Sequence, residues 1–243
     1  MPSLTFSEKL IWFAHCPKAG GTSVEQFMVA RWGKAVGHLH WGWDLWWRGG
    51  GWREADPPNS PQHLIWRDAR RLLPRPPDAV FAVVRDPVAR MASEHRWQKT
   101  GRRGTRLGKL LAHLPFPFWL RLMLAVARRN PYAFDNHFRA QSEFLSEDAV
   151  LFRLEDGLAG VEDWLVQTTG EGQGAAMPHA ISTGKSARVA PAEAALIARF
   201  FAVDYDRLGY PRPASQDGRI DPLAWLAECV APGVAWLDRR GRL

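Results

Sequence analysis

Apolar positions along this chain follow two patterns, short unbroken runs and stripes at helical spacing, and the two alternate. Residues 10–14 (Leu-Ile-Trp-Phe-Ala) form a short apolar run that ends in a Pro/Gly-rich loop over 16–21. Such a run suits a strand buried on both faces of a parallel sheet. Beyond the loop, Val24, Phe27 and Met28 recur on one face of a helix, with Thr22 and Ser23 as candidate caps. Residues 64–73 return to helical spacing and are stopped by the prolines of 74–77. The clearest buried strand is 79–84 (Ala-Val-Phe-Ala-Val-Val); Asp86 then caps a new helix with Pro87 in its first turn, where proline is tolerated. A further strand over 149–153 precedes a helix near 161–166, and Pro191 opens a last strong helix through Phe201.

Between these elements the pattern lapses. Residues 36–61, rich in Gly, Trp and Pro, read as a long irregular excursion. Residues 100–130 are basic and proline-interrupted, helical in part. Residues 169–190 read as loop, and the chain from 211 onward is weakly specified. Strands alternating with helices predict an α/β fold, a parallel sheet covered by helices on both faces. At 243 residues the expectation is one domain, with the chemistry-bearing core over about 10–210 and a tail over 211–243.

Composition narrows the classes. Hydrophobic residues make up 46% and charged residues 23%, enough for a real core and against disorder. Two cysteines, Cys16 and Cys229, exclude a disulfide scaffold or a zinc cluster and fit a reducing, cytoplasmic setting. The net charge of +7 favours anionic partners such as acidic glycans, lipid head groups or a nucleotide-like cofactor. The basic residues are scattered, without a track for nucleic acid. No apolar stretch is long enough to span a bilayer, although peripheral membrane contact is compatible with this charge. Thirteen tryptophans, many of them between residues 32 and 66, could form a platform for sugar rings or acyl chains, or roof a core.

Candidate chemistry lies in two constellations. Residues 15–23 read His-Cys-Pro-Lys-Ala-Gly-Gly-Thr-Ser. Gly20 and Gly21 free the backbone from β-carbon interference, the following helix supplies N–H groups and its dipole, Lys18 supplies a charge, and Thr22 and Ser23 supply hydroxyls. Pro17 and Ala19 complete this anion cradle. It is not a Walker loop, because the lysine precedes the glycines, which weighs against a magnesium-dependent ATPase or kinase. Residues 85–93 read Arg-Asp-Pro-Val-Ala-Arg-Met-Ala-Ser. Arg85 ends a strand, where open α/β sheets place ligands, and Ser93 lies about two turns on; a fork and a hydroxyl suit a second phosphate. A structural Arg85–Asp86 pair is the competing reading.

Together these motifs resemble the sulfotransferase superfamily that uses 3′-phosphoadenosine 5′-phosphosulfate (PAPS), in its carbohydrate-acting branch, which includes heparan sulfate 2-O-sulfotransferase and bacterial members. Residues 15–23 are similar to its 5′-phosphosulfate loop, and 85–93 to its 3′-phosphate site, 62 residues on from Ser23. Weaker similarities lie over 135–141 and 204–210; where the family often carries tyrosine, this chain has His95. The resemblance implies a P-loop-like fold, PAPS as donor, adenosine 3′,5′-bisphosphate as product, no metal, and transfer to an acceptor hydroxyl of a carbohydrate or glycolipid. It also implies a catalytic histidine upstream of Arg85. The other candidates for the base are His38, His40, Glu54 and His137. His63 is favoured by position as well, since it opens the helix that feeds the Arg85 strand and so faces the sheet edge carrying Lys18. His38, His40, His137, Arg139 and Gln141 are candidate acceptor contacts, and Lys185 a further cofactor contact. A non-catalytic nucleotide-binding protein and a P-loop-type kinase are the alternatives.

Overall fold

The computed structural model describes residues 2–6, 8–38, 59–100, 106–170, 189–214 and 221–240. The strands β1 (Pro2–Phe6), β2 (Lys9–Phe13), β3 (Val36–His38), β4 (Ala79–Val84) and β5 (Val150–Arg153) form one sheet in the order β3-β1-β2-β4-β5. The fold is α/β. The sheet is mixed, which corrects the expectation of an all-parallel one: β2, β4 and β5 run parallel, whereas β1 is antiparallel to both β2 and β3. The difference arises at the N-terminal end. Residues 2–6 return directly into β2 by a hairpin turn, and such a connection can only give antiparallel pairing.

The chain divides into two compact units, each made of two stretches of sequence. The first comprises Met1–Arg85 and Glu143–Ser182 and contains the whole sheet. Its helices are α1 (Gly21–Trp32), α2 (Trp66–Leu72) and α3 (Ala159–Thr169). Ile11 and Phe13 of β2 and Phe81 and Val83 of β4 point to one face, where Val24, Phe27 and Met28 of α1 and Val161 and Leu165 of α3 cover them. Their neighbours Trp12, Val80, Ala82 and Val84 point to the other face and are buried as well. Burial on both faces is why these strands read as unbroken apolar runs. β5 is an edge strand, and Val150 and Leu151 are partly exposed.

The second unit comprises Asp86–Ser142 and Thr183–Leu243. It contains α4 (Pro87–Lys99), α5 (Arg106–Ala112), α6 (Phe116–Arg129), α7 (Pro191–Phe200), α8 (Ala202–Leu208) and α9 (Pro222–Arg239). Asp86 caps α4 as expected, its carboxylate accepting the Ala89 N–H at 2.8 Å with Pro87 in the first turn. Pro191 opens α7, but α7 is not the last helix. The stretch from 211 onward, read as weakly specified, carries the 18-residue α9. Its pattern is apolar nearly all round, so no single face announced a helix. Polar anchors at three positions of α9 fix it to α6: Arg121 to Asp221 at 2.6 Å, Arg129 to Glu228 at 2.6 Å with Arg128 on the same carboxylate, and Asn130 to Asp238 at 3.0 Å.

Candidate functional site

In the first unit, the parallel neighbours β2 and β4 both end at the same edge, and each hands the chain to one of the two motifs. After β2 the backbone turns through Pro17–Gly20 into α1. Neither Thr22 nor Ser23 caps this helix. The N-cap is Gly20, in left-handed backbone at φ 87°, and its carbonyl receives Ser23 N–H at 3.0 Å. A residue other than glycine is strained there. Thr22 is exposed and Ser23 half-buried in the first helical turn, the turn in which a helix leaves backbone N–H groups without an i−4 acceptor.

Lys18, half-buried, also has left-handed backbone, at φ 67°. For a lysine this costs on the order of 1 kcal/mol and persists only where the surroundings impose it. One such constraint is visible. Arg85, the residue after β4, donates Nη1–H to the Lys18 carbonyl at 3.3 Å. Arg85 is held half-buried. Lys18 and Arg85, one from each motif, are therefore tied by the Arg85 guanidinium to the Lys18 backbone.

Two histidines complete this edge. His15 is buried, stacked on Phe13 at a centroid distance of 5.5 Å, and its Nδ1 lies 3.4 Å from Glu25 Oε1. That spacing allows an ion pair when the ring is protonated, but the contact is not aligned as a hydrogen bond. His63 is buried too, and its ring meets His15 edge to face at 5.3 Å. Its setting differs from the expectation that it opens a helix. It closes a separate 3₁₀ turn, Pro61–His63, and α2 begins three residues later. Fully buried Asn59 fixes that turn, donating to the carbonyls of Ser60 at 2.8 Å and His63 at 3.1 Å. The structure thus brings together Pro17, Lys18, Ala19, Gly20, Gly21, Thr22, Ser23 and Arg85, with His63 joined to them through His15. His38 ends β3, and its side chain, like all of His40, Glu54, Lys185 and the tryptophan-rich stretch over 39–58, lies outside the described residues.

The remaining candidates belong to the second unit, where His137, Arg139 and Gln141 join a buried polar network. Ser93 is buried on α4. Arg90, fully buried on the same helix, donates to the carbonyls of His137 at 3.3 Å and Arg139 at 2.7 Å and lies over the Phe201 ring at 4.9 Å. Glu94 accepts from Gln98 at 2.7 Å and pairs with His137 Nδ1 at 2.7 Å, while Trp97 stacks on that imidazole. Gln141 is buried, and its N–H and that of Ser142 are received by the Asp204 carboxylate at 2.9 and 2.8 Å. The Arg139 guanidinium lies over Tyr132. His95 is buried, burial holds its imidazole below the ordinary histidine range, and its Nε2–H donates to the Leu114 carbonyl at 3.1 Å.

Sequence reasoning gave no role to His15, Glu25, Asn59, Arg90 or Glu94. For His15 a signal existed: an imidazole adjoining a glycine turn, with a carboxylate one helical turn inside the next helix. For Arg90 the signal was an arginine five residues after Arg85, at the first turns of the helix that Asp86 caps. Asn59 had none, since its partners are backbone carbonyls that no side-chain pattern encodes.

Comparison of the chain with known protein families, with curated proteins and with solved structures gives no match. No helix among the described residues is long and apolar enough to cross a membrane.

Proposed function

We propose that this chain is a PAPS-dependent sulfotransferase with a P-loop-like nucleotide edge, acting on a hydroxyl of a carbohydrate or glycolipid. The observation that carries the reading is the bond from Arg85 to the Lys18 carbonyl at 3.3 Å, which joins the two motif loops at the ends of adjacent parallel strands. Two anion-binding groups so linked suit a donor with a 5′-phosphosulfate and a 3′-phosphate. The Gly20–Thr22 backbone and the Ser23 hydroxyl receive the 5′-phosphate, and Arg85 receives the 3′-phosphate. The acceptor oxygen attacks sulfur in line, the bond from sulfur to the 5′-phosphate oxygen breaks, and adenosine 3′,5′-bisphosphate leaves. Lys18 stabilises the charge growing on that phosphate. His63 takes the acceptor proton. The cytoplasmic setting expected from the cysteine count belongs to this proposal.

Radiolabelled PAPS, incubated with the chain and a panel of hydroxylated glycans, glycolipids and small metabolites, tests it. Label transfer to an acceptor without added magnesium is the expected result. Tight binding of adenosine 3′,5′-bisphosphate with no product from any acceptor would point to a binding protein, and magnesium-dependent phosphate transfer from ATP to a kinase.

A further inference from the structure

In the second unit α9 is built inside out. Its small residues face the core: Ala227, Ala231 and Ala235 are buried, with Val234, in the cluster formed with α6. Its large apolar residues face outward. Trp225 is 72% exposed, and Leu223, Leu226, Val230 and Trp236 are each between 39% and 44% exposed. Among the described residues, these five are half of the ten exposed large hydrophobic side chains; the other five are spread over four different elements. Leu223, Leu226 and Val230 fall at helical spacing i, i+3, i+7, and Trp225 and Trp236 form the adjoining stripe. A contiguous apolar surface of this kind marks a docking site, whereas single exposed hydrophobes are ordinary.

The orientation is not accidental. The three polar anchors to α6 lie along the whole length of α9, at residues 221, 228 and 238, so the helix is fixed about its own axis. Those anchors also consume the acidic groups. Glu228 and Asp238, the carboxylates of α9, are both turned toward α6, which leaves the outward face without negative charge. At its C-terminal end the face is bordered by exposed Arg239 and Arg240, the latter guanidinium lying 4.2 Å from the Trp236 ring centroid.

We propose that the outward face of α9 docks on an anionic lipid bilayer, with the helix lying in the interfacial plane. Each part of the face matches one layer of that interface. Tryptophan favours the headgroup boundary, where its ring is apolar and its N–H finds polar partners. Leucine and valine enter the acyl region beneath, and the terminal arginines meet lipid phosphates. The charge of the whole chain, +7, complements an anionic surface, whereas a second copy would bring a like charge against it. The proposal is independent of the sulfotransferase reading, since no residue of α9 belongs to either motif.

The test is co-sedimentation of the full chain with vesicles of phosphatidylcholine alone and with vesicles of equal phosphatidylcholine and phosphatidylglycerol. The chain sediments with the mixed vesicles and much less with the neutral ones. Trp225→Ser combined with Leu226→Ser lowers the partition coefficient by about tenfold or more, because apolar area drives insertion. Arg239→Gln combined with Arg240→Gln lowers it roughly tenfold on mixed vesicles only, as does raised salt. All four positions are exposed, and an unchanged melting temperature checks that each variant folds. The arginine pair gives a separate readout should the apolar pair destabilise the unit. Absence of binding to mixed vesicles, or binding indifferent to both variants, overturns the proposal. So does a wild-type dimer that Trp225→Ser with Leu226→Ser converts to monomer without any vesicle binding, which assigns the face to a second copy.

Discussion

The imidazole of His15 occupies the space that a side chain on Gly21 would need: a β-carbon built there lies 2.0 Å from His15 Nε2. Gly20 and Gly21, alike in sequence, are thus glycines for different reasons. Gly20 supplies left-handed backbone at φ 87°, whereas Gly21 lets an aromatic ring lie against the helix start. The loop is shaped from inside the protein.

Gly21→Ala should therefore destabilise the chain by about 1–3 kcal/mol, the usual range for overpacking a filled site. His15→Ala in the same chain should recover part of that loss. Urea unfolding of the two single variants and the double variant measures the coupling. Strictly additive losses would mean that the ring moves aside freely and that the contact does not shape the loop.

For Lys18, the backbone and the charge can be tested separately. Lys18→Gly relieves the left-handed strain and Lys18→Ala retains it, so the glycine variant should melt higher than the alanine variant. Both lack the ammonium group, and both should lose turnover by about 10²–10³-fold, with adenosine 3′,5′-bisphosphate binding little changed. A glycine variant that keeps near-native turnover removes Lys18 from the chemistry.

His63→Ala should leave PAPS affinity intact and lower turnover by roughly 10²–10⁴-fold, the range for a positioned general base. The acidic limb of the rate profile should disappear with it. His15→Ala, measured in parallel, should cost less, because His15 acts on His63 through ring contact. Variants at His38 and His40 complete the series. If His15, His38 or His40 shows the large loss while the His63 variant stays active, the base is that residue.

Asp238 offers a test of stability against pH. Burial pushes its carboxyl up to about 6, against the N–H donors of Phe134 and Asn130, which favour the charged form. With the folded value above the unfolded one, the folded state holds the proton more tightly. The contribution to stability is complete below pH 4 and is lost as pH rises through about 6. Asp238→Asn, which keeps an acceptor for both donors, should then gain on the order of 2–3 kcal/mol relative to wild type at pH 7 and little at pH 4. Denaturant midpoints for both proteins across that range provide the measurement, and parallel curves would contradict it.

Much of the sheet was legible in the sequence because β2 and β4 are buried on both faces and carry no polar interruption. β1 was not, since its short run precedes a turn and draws its stability from pairing with β2 and β3, a non-local property. In the site, Lys18, Gly20 and Arg85 were legible from residue type and spacing. The joining of Arg85 to the Lys18 carbonyl was not, because a backbone acceptor leaves no trace in side-chain pattern. The same limit hid the Arg90 contacts with residues 137 and 139. The segments 135–141 and 204–210 meet through Asp204, which accepts the Gln141 and Ser142 N–H groups, again a contact with backbone that side-chain pattern does not encode.

The interleaving of the two units has a consequence on the ribosome. Residues 122–126 of α6 are all buried, yet the helix that seals them, α9, follows some 100 residues later, the separation of Arg121 from Asp221. At about 5–20 residues per second, α6 emerges several seconds or more before its cover is made. Within that interval the nascent chain must complete the sheet of the other unit with β5 while this apolar helix still lacks its cover. Slowed translation over 130–221, or withdrawal of holding chaperones, should therefore divert the newborn chain into aggregates even when the finished protein is stable.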